Sequence, residues 1–170
     1  MKRSAGRGVV RLVHRDQYVP YLLGRVSKGI ASAASVLYRR RLGVGINDAR
    51  ILVVLARRPR ITGKDLAEDT SLNKSVVSRS LRVLRKKGLV RVVPNDGRLE
   101  VELTANGRDM HDRVSRVALD REALMLKGFS AGERQTLIAF LHRLMKNVPL
   151  ANAYDPLQDP ARRRANARRR

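Results

Sequence analysis

The sequence contains no cysteine and no tryptophan, and it has only two phenylalanines and four tyrosines. Without cysteine, the chain can form no disulfide, no cysteine-ligated zinc site and no thiol redox switch. The scarcity of aromatic side chains argues against base stacking on single-stranded nucleic acid. No apolar run is long enough to span a bilayer, and no signal-peptide core follows the basic first 15 residues. We therefore expect a cytoplasmic protein that does not associate with membranes.

Acidic residues are also few, and positive charge dominates the chain. Its 37 lysines and arginines against 15 aspartates and glutamates give a formal net charge of +22 over 170 residues. Residues 1–15 and 161–170 contain basic residues but no acid, and the part between them also carries net positive charge. A charge of this size favours a polyanionic partner, because neutralised phosphates release bound counterions.

Apolar residues recur at helical spacing in six segments, which predicts a mainly α-helical chain. The predicted helices cover residues 17–42, 48–58, 63–69 and 73–87, followed by a fifth that begins after Thr104 and a sixth that begins after Ser130 and ends at Val148. Short polar side chains precede five of these helices, and the predicted N-caps are Asn47, Thr62, Asn73, Thr104 and Ser130. Gly88 is placed to end the fourth helix as its C′ residue.

The apolar pattern changes its period after the fourth helix. Leu99, Val101 and Leu103 alternate with charged residues, which predicts a half-buried strand. The run 89–93 precedes this strand, and the turn 94–97 between them contains the Asp-Gly dipeptide that hairpins favour. We therefore predict a winged helix-turn-helix fold that is mainly α, with about six helices and a small two- to three-stranded antiparallel wing.

The fourth helix combines an apolar face with a basic face. Val77, Leu81 and Leu84 lie at core spacing, and no acidic residue occurs between residues 71 and 91. Arginine can donate two hydrogen bonds to guanine, and serine can contact base edges or phosphates. The residues predicted to meet the DNA major groove are Asn73, Lys74, Ser75, Ser78, Arg79 and Arg82. A solvated helix face would explain the charge alone, but the short helix before it and the hairpin after it favour DNA.

Two further groups of residues complete the predicted DNA interface. Arg98 follows the hairpin turn, where an arginine can enter the narrow minor groove, and Asp96 is predicted to brace it through an ion pair. Thr62, Lys64 and Arg85 are predicted to contact phosphates. The alternative for Asp96 and Arg98 is that both are ordinary turn residues.

No catalytic or metal-binding constellation accompanies this pattern. His14, His111 and His142 are scattered and lack metal-ligand spacing. The carboxylates of Glu100 and Glu102 share a strand face, but no nucleophile or glycine-rich phosphate loop accompanies them. We therefore predict no enzymatic activity, no metal and no cofactor.

Four motifs in a fixed order resemble the signature of MarR-type transcriptional regulators. They are residues 75–79 (SVVSR), 84–90 (LRKKGLV), 96–98 (DGR) and 103–107 (LTANG). The resemblance extends from about Tyr18 to Val148 and implies a homodimer whose terminal helices interlock, with helix four in the major groove and Arg98 in the minor groove. The apolar stripes of helices one, five and six also favour a partner copy. A dimer predicts a pseudo-palindromic site with half-sites about 34 Å apart.

The predicted organisation has five parts. They are a flexible basic arm (1–16), dimerisation helix one (17–45), the winged helix-turn-helix lobe (46–103), dimerisation helices five and six (104–148) and a disordered arginine-rich tail (149–170). The resemblance does not cover the basic arm or the arginine tail. It implies a sequence-specific transcriptional regulator of double-stranded DNA, most often a repressor in this family.

The resemblance also suggests a small phenolic or anionic effector ligand, which many members of the family bind. Tyr38, Arg41 and Arg50 lie where helix one meets helix two and are the candidate ligand residues, with ordinary packing and surface roles as the alternative. Two other functions stay open at this point. The high charge and both basic ends favour an architectural, nucleoid-type protein of low sequence specificity, and the fold could also serve as an RNA or protein interaction module.

Overall fold

The computed structural model describes residues 13–155, so most of the predicted basic arm and the chain from residue 156 onward lie outside the described residues. The described part contains six helices and three strands. Their bounds are α1 Val19–Leu42, α2 Ile46–Arg57, β1 Ile61–Thr62, α3 Gly63–Thr70, α4 Lys74–Lys86, β2 Val90–Asn95, β3 Arg98–Leu103, α5 Ala105–Met125 and α6 Ala131–Ala153. The chain divides into two compact units at Asp120, so α5 begins in the first and ends in the second. The predicted mainly α fold with a small antiparallel wing is confirmed.

The first two helices are joined by a short turn that contains two glycines. α1 is followed by Gly43, which has a φ of 68° and donates its N–H to the carbonyl of Arg39. α2 begins earlier than predicted, and the carboxylate of Asp48 accepts a 2.8 Å hydrogen bond from the N–H of Gly45. The predicted cap Asn47 is therefore wrong, because a carboxylate in the first turn satisfies the free N–H from inside the helix.

A tight turn separates α3 from α4. Thr62 caps α3 as predicted, since its hydroxyl accepts a 3.2 Å hydrogen bond from the N–H of Asp65. Ser71 adopts the left-handed conformation, with a φ of 54°, and turns the chain toward α4. Asn73 occupies the N-cap position of α4, but its side chain makes no capping hydrogen bond. Gly88 follows α4 with a φ of 68°, which agrees with its predicted role.

The wing is a three-stranded antiparallel sheet in the order β1-β3-β2. Asn95 pairs with Arg98 at the end of the hairpin, so the turn consists of Asp96 and Gly97. These two residues have φ values of 44° and 73°, as the two-residue turns that match the twist of a hairpin require. The predicted four-residue turn, 94–97, is therefore too long, because its first two residues belong to β2.

The core of the first unit lies among α2, α3, α4 and the sheet. Its buried side chains include Ile51, Leu52, Leu55, Ile61, Leu66, Val77, Leu84 and Val101. Val77 and Leu84 face this core as predicted, and Leu81 is partly buried against it. Leu99 differs from the prediction, because it is 68% exposed on the outer part of the hairpin, beyond the helices that cover the base.

The start of α5 approaches the base of the wing closely. Thr104 caps α5 as predicted, since its hydroxyl accepts a 3.0 Å hydrogen bond from the N–H of Gly107 and donates one of 2.6 Å to the carbonyl of Gly88. Gly107 is buried, and a Cβ at this position would lie 1.9 Å from the carbonyl oxygen of Leu89. Only glycine fits this backbone contact, because any side chain would collide with the carbonyl.

The second unit is built largely on α6, which begins with the predicted capping box. The hydroxyl of Ser130 accepts a 3.3 Å hydrogen bond from the N–H of Glu133. The N–H and the hydroxyl of Ser130 both donate to the Glu133 carboxylate, which holds the pKa of Glu133 below its ordinary value. α6 continues through Pro149 to Ala153, so the predicted helix end before Pro149 and the predicted disorder of residues 149–153 are wrong. A proline this near a helix end removes one hydrogen bond without interrupting a long ladder.

Candidate nucleic-acid interface

The outward face of α4 carries basic and hydroxyl side chains without a hydrogen-bond or ion-pair partner among the described residues. These exposed side chains belong to Lys74, Ser75, Ser78, Arg79 and Arg82. The opposite face of α4 is buried in the core through Val77 and Leu84, which fixes the rotation of the helix about its axis. The donors of the outward face are therefore held toward solvent and available to an external acceptor.

A groove of about 470 Å³ runs between α3, α4 and the wing sheet. Its apolar floor includes Val77, Leu81, Val90, Val92 and Val101. Its polar rim contains five of the residues predicted to contact DNA, namely Lys64, Lys74, Ser78, Arg82 and Arg85. The tertiary structure thus brings the predicted phosphate contacts Lys64 and Arg85 beside the face of α4 that is predicted to read bases.

The other predicted residues of α3 and α4 lie outside this groove. Asn73, Ser75 and Arg79 are exposed at the start and on the outer side of α4. Thr62 is half-buried, and its hydroxyl is engaged with the N–H and the carboxylate of Asp65. A phosphate contact would require this hydroxyl to give up the hydrogen bond that it donates to the Asp65 carboxylate, which argues against the predicted role of Thr62.

The tip of the wing differs from the prediction in one contact. Asp96 and Arg98 are both exposed, and no ion pair joins them in the described structure, so the predicted brace is wrong. Asp96 lies in the turn itself, whereas Arg98 is the first residue of β3 and pairs with Asn95. The Nδ2 of Asn95 donates a 3.1 Å hydrogen bond to the carboxylate of Glu100, which links the two strands near the tip.

An ion-pair cluster behind the hairpin is missing from the sequence-based prediction. The two carboxylate oxygens of Glu102 accept hydrogen bonds from the Nε of Arg91 at 2.5 Å and the Nε of Arg60 at 2.9 Å. The Glu102 side chain is only 12% exposed, and Arg91, followed by Arg60, holds its pKa below the ordinary value. We call this cluster the Arg60–Glu102–Arg91 brace. The hairpin register could have revealed the ion pair between Arg91 and Glu102, since it places these two residues directly opposite each other.

Replacing Glu102 with glutamine is expected to lower the free energy of unfolding at neutral pH and to change it little in acid. Because the folded-state pKa of Glu102 is depressed, its ionised form stabilises the fold above the unfolded-state pKa of about 4.3. This contribution is lost as pH falls through the depressed folded-state pKa. Urea unfolding of both proteins across this range measures the difference, with Glu68→Gln on the exposed side of α3 as control. A difference that stays constant with pH would contradict the brace.

The three candidate ligand residues do not line one cavity. Tyr38 is 7% exposed and belongs to the core. Arg41 is exposed in the last turn of α1. Arg50 lines a groove of about 250 Å³ between α1 and α2, together with Leu23 and Ile30. Within one chain these residues therefore form no single crevice, because burial of Tyr38 in the core separates it from the groove that Arg50 lines.

Two absences predicted from the sequence, of a metal site and of a membrane-spanning helix, can be checked in residues 13–155. In this part of the chain, histidine and acidic side chains form no group able to hold a metal ion. The ring of His111 lies between Asp112 and Ser115, with nitrogen–oxygen distances of 2.9 and 3.0 Å. Within the same residues, no helix is both long and apolar enough to cross a membrane.

Helices α2 to α4 and the hairpin that follows them define a winged helix-turn-helix. In this class the second helix of the tightly connected pair presents its side chains to DNA. Here that helix is α4, whose outward face carries the free basic side chains. The chain is therefore a DNA-binding protein of the winged helix-turn-helix class.

Comparison with known proteins shows which family the chain resembles. A model of the MarR family matches residues 42–99, which include α2, α3, α4 and β2. YdgJ of Bacillus subtilis, described as an uncharacterized HTH-type transcriptional regulator, is 29% identical over 127 residues, which cover 71% of this chain and 76% of YdgJ. The chain is similar to the MarR family of transcriptional regulators, which confirms the resemblance found in the sequence.

Solved structures agree with this assignment. The crystal structure of a MarR-family transcriptional regulator from Silicibacter pomeroyi has a TM-score of 0.71 and 29% sequence identity, over 79% of this chain and 92% of that chain. The S. aureus MepR–DNA complex has a TM-score of 0.70 and 18% identity, over 79% of this chain and 99% of that chain. At this identity, the likeness to MepR concerns the fold.

Proposed function

We propose that the protein is a homodimeric, sequence-specific transcriptional repressor that binds a pseudo-palindromic site in double-stranded DNA. In this proposal α4 of each copy enters the major groove, and each wing tip reaches the adjacent minor groove. The observation that carries the proposal is the outward face of α4, where partner-free donors are presented by a helix whose opposite face is locked in the core.

The major-groove assignment rests on the size and charge of α4. The major groove of B-DNA is about 12 Å wide and admits one α-helix. No acidic residue occurs between residues 71 and 91, so nothing in this segment repels phosphates. Arg79 and Ser78 would contact base edges, whereas Lys64 and Arg85 on the rim of the groove would contact phosphates. The structural neighbour MepR, which was solved as a complex with DNA, supports this use of the fold.

The minor-groove assignment rests on the partner-free guanidinium of Arg98. The turn at Asp96 and Gly97 lies directly before it, and the neighbouring Leu99 is 68% exposed, so the tip of the wing stands clear of the core. A narrow minor groove concentrates negative potential and attracts an arginine side chain. The hydrogen bond that links the strands near the tip would limit the entropy lost when Arg98 is inserted.

The dimer assignment rests on apolar surface that one chain leaves uncovered. In α1, Leu22 and Leu23 are each 40% exposed and Val26 is 59% exposed. α6 buries none of its residues within the described chain, although its exposed side chains include Ile138, Phe140, Leu141, Leu144 and Met145. Because full burial of one such side chain contributes about 1.5–3 kcal/mol, a second copy that covers these faces would stabilise both chains substantially.

Release of the repressor by a small phenolic or anionic effector is part of the proposal. An effector can act only if it binds the DNA-competent and the incompetent arrangement with different affinities. The groove between α1 and α2 places the cation of Arg50 beside apolar side chains, including Leu23, Val26 and Ile30. Such a lining suits a ligand that has one charged or polar group on an apolar body.

Selection of bound fragments from genomic DNA tests the proposed function. We expect an enriched palindrome with half-sites about 34 Å apart. At physiological salt, affinity for this site should exceed affinity for random duplex by roughly 10³ or more. The absence of an enriched motif, together with equal affinities, would reject sequence-specific regulation. That result would favour the architectural alternative, which the net charge of +22 and the acid-free basic ends of the chain motivate.

Deleting residues 161–170 is expected to weaken binding to the selected site and to random duplex by similar factors. The segment contains six arginines and no acidic residue, and charge that neutralises phosphates raises affinity without reading sequence. The slope of log affinity against log salt concentration should become shallower, by about 0.9 for each phosphate that the protein no longer neutralises. A variant in which glutamine replaces all six arginines serves as a control, because it removes the charge and keeps the length of the chain. If the deletion changed which DNA sequence the protein prefers, residues 161–170 would take part in sequence recognition together with α4, and the prediction would be wrong.

A further inference from the structure

A second cavity, of about 680 Å³, opens behind the wing, and we call it the back cavity. It is lined by the end of α2, the segment before β1, the base of the hairpin and the start of α5. The hairpin separates it from the groove beside α4, because successive strand residues point to opposite faces of a sheet. Val90 and Val92 line the groove, whereas Arg91 between them lines the back cavity. Likewise, Val101 lines the groove and its neighbour Glu102 lines the back cavity.

The back cavity offers more hydrogen-bond donors than acceptors. Both carboxylate oxygens of Glu102 are already engaged in the Arg60–Glu102–Arg91 brace. Arg60 and Arg91 each use only Nε there, so the Nη groups of both guanidiniums have no partner in the described structure. Arg108 lines the cavity with a third guanidinium, one Nη of which donates to the carbonyl of Leu103 at 3.3 Å.

The lining of the back cavity also carries surplus positive charge. Its three guanidiniums, on Arg60, Arg91 and Arg108, face the two carboxylates of Glu102 and Asp112. The Asp112 side chain is 74% exposed and makes no ion pair with any of the three arginines in the described structure. Of these two carboxylates, Glu102 alone pairs with the cluster, which retains attraction for a further anion.

An apolar wall lies next to these donors. Ala56 and Pro59, at the end of α2 and just after it, line the same cavity. The planar fork of a guanidinium binds a carboxylate through two parallel hydrogen bonds. We propose that the back cavity binds a small organic carboxylate, with its carboxylate on Arg91 and Arg108 and its apolar body against this wall.

The position of the site has a consequence for the wing. A bound carboxylate would share the guanidinium of Arg91 with Glu102 and so would act on the base of the hairpin. Ligand and DNA would lie on opposite faces of the hairpin and need not exclude each other. Any effect on DNA affinity rests on the proposed function, whereas binding of the carboxylate does not.

Calorimetric titration of benzoate into the full-length protein without DNA tests the proposal, with benzamide as the uncharged analogue. We expect saturable binding of benzoate and no binding of benzamide. Arg91→Gln and Arg108→Gln should each weaken benzoate binding by about tenfold or more, since each removes charge-assisted hydrogen bonds. Arg113→Gln removes the same charge from an exposed position of α5 outside the cavity, and it should bind benzoate like the unchanged protein.

Three results would overturn the proposal. The first is the absence of benzoate binding, and the second is equal binding of benzamide. The third is loss of binding in Arg50→Gln with unchanged binding in Arg91→Gln and Arg108→Gln, because the ligand would then lie between α1 and α2. Circular dichroism verifies that each variant is folded. If Arg91→Gln is unfolded, Arg91→Lys retains the charge without the fork and should still weaken binding. Because no DNA is present, failure here is distinct from failure of the DNA-binding proposal.

Discussion

Replacing Arg79 with alanine is expected to weaken binding to the selected DNA site by about 1–3 kcal/mol, roughly five- to 150-fold in Kd. Arg79 is exposed on α4, and its guanidinium has no partner among the described residues. The substitution therefore removes a donor fork that can bind two acceptors of a guanine, and the variant should discriminate less at one base position of each half-site. Fluorescence anisotropy with the selected site and with its single-base variants measures both effects.

Two matched substitutions distinguish the recognition of a base by Arg79 from the affinity that its positive charge provides. Arg79→Lys keeps the charge but loses the fork, so it should retain affinity for random duplex without restoring the base preference. Arg113→Ala removes one charge from the exposed side of α5 and should lower affinity slightly and equally for all sequences. Should Arg79→Ala weaken the selected site and random duplex by the same factor, Arg79 would be a phosphate contact and the prediction would be wrong.

Replacing Gly107 with alanine is expected to lower the free energy of unfolding by about 3 kcal/mol or more. The new Cβ would lie 1.9 Å from the carbonyl oxygen of Leu89 and 3.2 Å from Cδ2 of Leu103. The Leu89 carbonyl also accepts the N–H of Thr104 at 3.1 Å, so it cannot move away without breaking this link between wing and helix. Either the start of α5 or the base of the wing must shift. Urea denaturation monitored by circular dichroism measures the loss.

Gly132→Ala is the control for this prediction. Gly132 lies in the first turn of α6, and a Cβ there meets nothing within 4 Å. Alanine at this position is expected to raise the free energy of unfolding by up to about 1 kcal/mol, because it restricts the unfolded chain. If Gly107→Ala were as stable as the unchanged protein, α5 and Leu89 could not approach as closely as the structure has them.

The elements of the winged lobe could be predicted because their determinants are local. The caps at Thr62, Thr104 and Ser130 each use a side-chain oxygen that accepts a backbone N–H three residues later. The Asp96-Gly97 turn requires two residues that tolerate positive φ, and the dipeptide itself indicates this. The buried side of α4 follows from helical spacing, which placed Val77 and Leu84 correctly in the core.

Other features could not be predicted, because they depend on which element packs against which. Arg60 and Glu102 are 42 positions apart in the chain, and no local pattern pairs them. Tyr38 has the spacing of a residue that could face a crevice, but packing of α1 against the lobe buries it. Leu99 alternates correctly with its neighbours, yet the hairpin is longer than the surface that covers it, so this side chain is exposed.

By itself, the sequence determined the class of the protein and the helix that is proposed to contact DNA. Charge, capping and hydrophobic period are properties of short segments, so the basic α4 and the hairpin with Arg98 could be recognised without a structure. Only the tertiary structure decided that Lys64 and Arg85 join α4 at one groove and that Gly107 must be glycine. It also decided that three arginines line one cavity behind the wing. These are distances between elements that are remote in the chain, and the folded core sets them.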